Sequence, residues 1–122
     1  MDAPARREGF PRARRIRKRP HYLVVQNTGR RLGSAHYLLF ARRQPDGAGS
    51  PTRIGITVTK KVGNAVVRNR VKRWVRESCR KMMDRFPAGV DLVIVARPSA
   101  AQAGLASTAQ ELASLARQLR SR

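Results

Sequence analysis

The sequence predicts an α+β domain in which helices cover a small sheet, and three segments carry that prediction. Wound at 100° per residue, positions 65 to 86 sort into two faces. Val67, Val71, Trp74, Val75, Ser78, Met82 and Phe86 gather on one side; Asn69, Lys72, Arg73, Arg76 and Arg80 gather on the other, with Arg68 and Arg70 on the borders. That is a long helix with one face for a core and one for an anion. Positions 52 to 59 alternate instead, Ile54, Ile56 and Val58 opposing Arg53, Gly55, Thr57 and Thr59, the period of a strand with one core face and one face able to meet a ligand. Positions 90 to 96, VDLVIVA, form a nearly continuous apolar run, as expected of a central strand buried on both sides.

The other elements follow in chain order. Residues 1 to 19 hold eight basic residues and two prolines among few apolar ones, which reads as a flexible basic arm that orders, if at all, on a polyanion. Residues 20 to 122 form a single domain. HYLVVQN at 21 to 27 has the β-propensity of a strand, but Pro20 at a first-turn position and Gly29 just past the end favour a short helix. A strand follows at Tyr37 to Arg43, joined to the alternating strand through the turn-rich QPDGAGSP at 44 to 51. Phe86-Pro87-Ala88-Gly89 ends the long helix, and Pro98 to Gly104 reads as a linker. Ser107 with Gln110, or Thr108 with Glu111, offers a capping box for a final helix whose apolar stripe is Leu105, Leu112, Leu115 and Leu119. No internal repeat is present.

Charge narrows the function. Twenty-seven Lys and Arg against 7 Asp and Glu give a formal net charge of +20 over 122 residues, for which a nucleic acid is the expected partner. The stretch from 60 to 81 alone sets nine basic residues against one acid, Glu77. A charge run is often only a solvated helix face, but here i,i+4 pairing cannot neutralise the cations, which repel one another until a polyanion arrives. No run of roughly 18 apolar residues is available to span a bilayer, and the Arg-rich, proline-interrupted N-terminus lacks the apolar segment of a signal peptide. No membrane association and a cytoplasmic location are the expectations. The one cysteine, Cys79, excludes an internal disulfide and a cysteine-based zinc site, and its place towards the apolar side of the helix marks it as a small core residue.

Side-chain catalysis is hard to locate. The acids Asp2, Glu8, Asp46, Glu77, Asp84, Asp91 and Glu111 show no paired-carboxylate or metal-ligand spacing, and His21 and His36 have no nucleophile motif or second ligand beside them. A glycine-rich phosphate loop is also missing. The residues point to binding rather than to bond breaking.

The run from Arg53 to Arg80, RIGITVTKKVGNAVVRNRVKRWVRESCR, resembles the signature of the bacterial ribonuclease P protein component. It combines a strand ending in Lys60 and Lys61, a Gly63-Asn64 helix entry, the triplet Arg68-Asn69-Arg70, and Lys72-Arg73 followed by Arg76 at helical spacing. A weaker match extends from about Phe10 to Leu119. The resemblance implies a single-domain αβββαβα sandwich of the ribosomal-protein-like domain 2 type, with a four-stranded sheet and a left-handed βαβ crossover. It favours helix over strand at 20 to 27 and adds a short strand near Arg30 to Gly33.

The resemblance also implies a function in which the missing catalytic residues are expected. In that family the catalyst is an RNA using Mg²⁺, while the protein, which binds no cofactor itself, binds this RNA and the 5′ leader of precursor tRNA. The chain is then an accessory subunit of an endoribonuclease that matures the tRNA 5′ end. Carried over position by position, Lys61, Asn64, Arg68, Asn69, Arg70, Lys72, Arg73, Arg76 and Arg80 face the catalytic RNA. Tyr22 and Phe40, with Thr57 and Lys60 alongside, line a leader cleft between the first helix and the sheet, where aromatic faces stack on bases of any identity. The alternative for Tyr22 and Phe40 is a plain core position; Trp74, opposite the basic face, is expected in the core. One departure stands out: an aromatic usual four residues after Tyr22 is replaced by Gln26.

Two rivals remain at this level. A basic ribosomal or other RNA-binding protein without a processing role fits the composition equally well, and only the 53 to 80 signature speaks against it. A DNA-binding module would use 65 to 85 as a recognition helix, but a strand rather than a short helix and turn feeds that segment, so no DNA partner is expected.

Overall fold

A computed structural model describes residues 15–16, 19–44 and 51–120 of the chain. Its elements are α1 (Arg19–Thr28), β1 (Arg30–Gly33), β2 (Tyr37–Arg43), β3 (Arg53–Thr57), α2 (Ala65–Lys81), β4 (Val90–Ala96) and α3 (Gly104–Arg120), with 3₁₀ turns at Met83–Arg85 and Pro98–Gln102. The four strands form one sheet in the order β1-β2-β4-β3. The β1–β2 and β2–β4 pairs are antiparallel, while β3 and β4 are parallel neighbours joined through α2. The α+β class and the αβββαβα order are those expected from the sequence.

Two layers cover the sheet. Leu39, Ile54, Leu92 and Ile94 pack beneath Val71 and Val75 of α2 and Leu112 and Leu115 of α3 in the main core. On the opposite face, α1 closes a smaller cluster in which Ile16, Val25 and Val93 are buried and Tyr22, Phe40 and Val95 are half-buried. Because β4 is central and touched from both sides, both of its faces are apolar, which is why its sequence shows no alternation.

The short helix α1 forms despite its β-branched content. Its end is fixed at Gly29, whose N–H donates to the Val25 carbonyl at 2.8 Å, and whose absent Cβ would lie 2.8 Å from the Ala41 carbonyl oxygen of β2. Only a glycine lets the helix turn this close to the strand.

Three expectations need correction. The long helix ends at Lys81, not Phe86: Met82 N–H bonds Cys79 O, and a 3₁₀ turn leads to Phe86, which is extended (φ −86°, ψ 146°) because Pro87 follows it. Met82 and Phe86 still point into the core, each 5% exposed. No capping box opens the final helix, which begins earlier, at Gly104 (φ +82°) after a 3₁₀ turn within the expected linker. Thr108 instead lies buried against the Tyr37 hydroxyl at 2.7 Å, and burial pushes the Tyr37 hydroxyl above its ordinary pKa. Leu105 is 42% exposed and lies outside the apolar stripe.

Glu111 binds the β1–β2 turn rather than its own helix end. It accepts from Ser34 Oγ at 2.5 Å, from the His36 backbone N–H at 2.8 Å and from His36 Nδ1. Its partial burial raises its pKa, but these hydrogen bonds outweigh that effect and hold the carboxyl below its ordinary range.

Candidate nucleic-acid interface

The basic face is built by α2 and its lead-in. Asn64 caps the helix, its Oδ1 accepting from Val67 N–H at 3.0 Å, so the side chain placed by resemblance among the RNA contacts also has a structural task. A Cβ on Gly63 would lie 2.9 Å from Val67 Cβ, which makes glycine the residue that fits before this cap. Arg68 Nε donates to the Gly63 carbonyl at 3.2 Å, tying that side chain across the helix start. Further along, Asn69, Arg70, Arg73 and Arg76 are exposed, as are Lys60 and Lys61 in the lead-in, while Arg68, Lys72 and Arg80 are half-buried.

The opposite side of α2 carries Val71, Val75, Ser78 and Cys79 into the core, with Trp74 half-buried at its margin rather than fully inside. Burial pushes the Cys79 thiol up to about 12, so it is a packing residue and not a nucleophile. Arg80 differs from the other cations of the face. Its guanidinium pairs with Glu77 at 2.5 Å, and this hydrogen bond first of all holds the Glu77 carboxyl below its ordinary range. Among the described residues, charge without an acidic partner therefore runs from Lys61 to Arg76, and part of it is cancelled at Arg80.

The second surface is the α1 side of the sheet. Phe40 pairs in register with Val93, Gly55 with Val93 from the other neighbour, and Thr57 with Val95, so Phe40, Gly55 and Thr57 share the face under α1. Tyr22 descends from α1 onto β3. A Cβ on Gly55 would come within 2.7 Å of the Tyr22 ring, and the Tyr22 hydroxyl accepts from Ile56 N–H at 3.2 Å. β3 is an edge strand, and the tyrosine satisfies one of its outward N–H groups. Tyr22 and Phe40 are both half-buried and pack on the Ile16, Val25 and Val93 cluster. That is neither a core position nor a free surface aromatic, and it suits stacking. Gln26 is half-buried in the same helix.

Among the described residues no three His, Cys, Asp or Glu side chains come together to hold a metal. No helix is long and apolar enough to cross a membrane, among the same residues.

These features agree with comparisons to known proteins. The family model Ribonuclease P matches residues 10–120. The chain belongs to the ribonuclease P protein family. It is 42% identical over 111 residues to the ribonuclease P protein component of Oleidesulfovibrio alaskensis, covering 89% of this chain and 88% of that one. Solved RNase P proteins share the fold: that of Staphylococcus aureus superposes with a TM-score of 0.78 at 25% identity over 88% of this chain and 95% of its own. The protein from Thermotoga maritima does so with a TM-score of 0.75 at 28% identity, over 85% of this chain and 96% of its own.

In this ribonuclease P fold the two surfaces meet, which the sequence did not disclose. A cleft of about 200 Å³ lies along the free edge of β3, lined by Tyr22 from α1, Ile54 and Ile56 from β3, and Lys72 and Arg76 from α2. Arg15 and Ile16 complete it, with Ile16 N–H donating to Ile54 O at 3.0 Å and Ile16 only 3% exposed. These two residues fall within the stretch expected to be a flexible arm; they are instead pinned to β3. The rest of that arm, residues 1–14, lies outside the described residues, as do residues 17 and 18. Gly55, which alternation places on the ligand-facing side of its strand, meets the Tyr22 ring, a partner that a strand glycine does not announce.

Gly55→Ala tests this arrangement. The added methyl is expected to overpack against Tyr22, lowering stability by about 1 to 3 kcal/mol, and to detach the ring from Ile56. Thermal melts should show the first effect, and weaker binding of a single-stranded oligoribonucleotide the second. Unaltered oligonucleotide binding would show that Tyr22 does not need this seat.

Proposed function

We infer that this chain is the protein subunit of a ribonuclease P ribonucleoprotein that assists removal of the 5′ leader from precursor tRNA, with the reacting groups and bound Mg²⁺ supplied by the RNA subunit. The observation that carries this reading is the meeting, in the cleft at the β3 edge, of Lys72 and Arg76 from the basic helix with Tyr22 from the α1 face, on a fold of the ribonuclease P family. Lys61, Asn64, Arg68, Asn69, Arg70, Lys72, Arg73, Arg76 and Arg80 hold the catalytic RNA: their cations neutralise phosphates of a folded RNA and release counterions. Tyr22 and Phe40 stack on leader bases, while Thr57 and Lys60 follow the backbone, an interaction tolerant of leader sequence because every base has a flat face.

The mechanism is positional. One small scaffold that grips the catalytic RNA through α2 and the leader through the α1 cleft turns substrate capture into an intramolecular event, with affinity gained from linkage rather than from new chemistry. Supplying cations at the junction also reduces the repulsion between substrate and ribozyme that Mg²⁺ otherwise screens. Adding the protein to its cognate catalytic RNA should therefore shift half-maximal cleavage of precursor tRNA to lower Mg²⁺. A Mg²⁺ requirement unchanged by stoichiometric protein would count against the reading and favour a basic RNA-binding protein without a processing role.

A further inference from the structure

The sheet face that carries Phe40 continues to β1. Arg31 is directly opposite Phe40 in the antiparallel register, so the two side chains leave the same face side by side. Alternation along β1 agrees: Arg30 reaches the Leu119 carbonyl of α3 at 3.5 Å and Leu32 packs on the main core, which leaves Arg31 and Gly33 on the α1 side. Gly33 is not empty space. A Cβ there would lie 2.9 Å from Arg97 Nη2, so the guanidinium of Arg97, coming from the end of β4, lies across β1 in room that a glycine leaves.

The two arginines have unmet capacity. Arg97 Nε is buried with no hydrogen-bond partner, and Arg31 is exposed. Among the described residues neither pairs with a carboxylate, whereas Arg53 is held by Asp91 at 2.9 Å and Arg80 by Glu77 at 2.5 Å. Two guanidinium groups on one sheet face, Arg31 opposite Phe40 and Arg97 over Gly33, neither held by a carboxylate among the described residues, fit an incoming oxyanion.

We propose that Arg31 and Arg97 form a phosphate-binding subsite for single-stranded RNA at the β1 edge of the sheet, taking a leader phosphate beyond the base stacked on Phe40. The subsite rests on the leader reading above and extends it. Tyr22 sits over β3, Phe40 on β2 and the arginine pair on β1, so the track crosses the whole sheet, about 14 Å at ordinary strand spacing. A leader of one or two nucleotides cannot cover that path; a longer one can. The chain thus gains affinity for long leaders at the β1 end of the track.

The experiment measures binding of precursor tRNAs with long and with one- or two-nucleotide leaders to the reconstituted holoenzyme. Arg31→Ala and Arg97→Ala should each weaken long-leader binding about three- to tenfold and flatten its salt dependence, with short leaders unaffected. Arg31→Lys should recover most of the loss. Phe40→Ala and Arg117→Ala, on the far helical layer, serve as comparators. Unchanged long-leader affinity in both arginine variants, where Phe40→Ala lowers it, would overturn the subsite and leave the leader cleft standing. Equal losses on long and short leaders would also overturn it, placing the contact on the catalytic RNA or the fold. A matching loss in Arg117→Ala would reduce it to general charge. If Phe40→Ala shows no leader-length effect either, the cleft and the subsite fall together.

Discussion

Alanine at both Arg73 and Arg76 is expected to weaken binding of the catalytic RNA on the order of 30-fold, at about 1 kcal/mol for each lost charge-assisted contact. Both side chains are exposed, while the helix is held by the buried Val71, Val75, Ser78 and Cys79 on its other side, so the fold should survive. The sharper signature is electrostatic. The slope of log K against log salt should flatten by about one unit per lost phosphate contact, near two for the pair. Titrations at several salt concentrations check this, and an unaltered slope in a folded double variant would remove α2 from the interface. Arg80→Ala should matter less than either, because its Glu77 partner already offsets its charge.

Phe40→Ala is expected to act on the other surface, reducing affinity for long-leader precursors by roughly 1 to 3 kcal/mol, the usual worth of one base–aromatic stack. Assembly with the catalytic RNA should be spared. Phe40 also packs on the small Ile16, Val25 and Val93 cluster, so some stability is lost with the ring. The leader-length comparison separates the two effects, since a loosened fold weakens long and short leaders alike. Gln26→Phe, which adds an aromatic one helical turn after Tyr22, should strengthen long-leader binding.

Much of this was legible in the sequence where a single period ruled a segment. The two faces of α2 could be read because Val71, Val75 and Ser78 recur at helical spacing against Arg73, Arg76 and Arg80. The continuous run in β4 announced a strand covered from both sides, and Pro20 with Gly29 bounded a helix that propensity alone would have made a strand. What escaped depended on distant partners. Glu111 looked like half of a capping box, yet it serves Ser34 and His36, some 75 residues away in sequence. Asp91 looked isolated, yet it is buried and receives Arg53 and Gln44 at 2.9 Å each. Gly55 and Ile56 acquire meaning only when Tyr22 lands on them, and Ile16 only when β3 offers its free edge. Of the misjudged helix end, Pro87 accounts only for the extended Phe86; the break four residues earlier, at Met82 (φ −127°, ψ 24°), had no proline or glycine to announce it.

The central claim is that this chain contributes binding surfaces and no reacting group. Its most direct test is cleavage of precursor tRNA by the protein freed of all RNA, compared in one assay with the same protein plus catalytic RNA and Mg²⁺. The account predicts no 5′ maturation in the first case and specific maturation in the second; specific cleavage at the mature 5′ end by the RNA-free protein would contradict it.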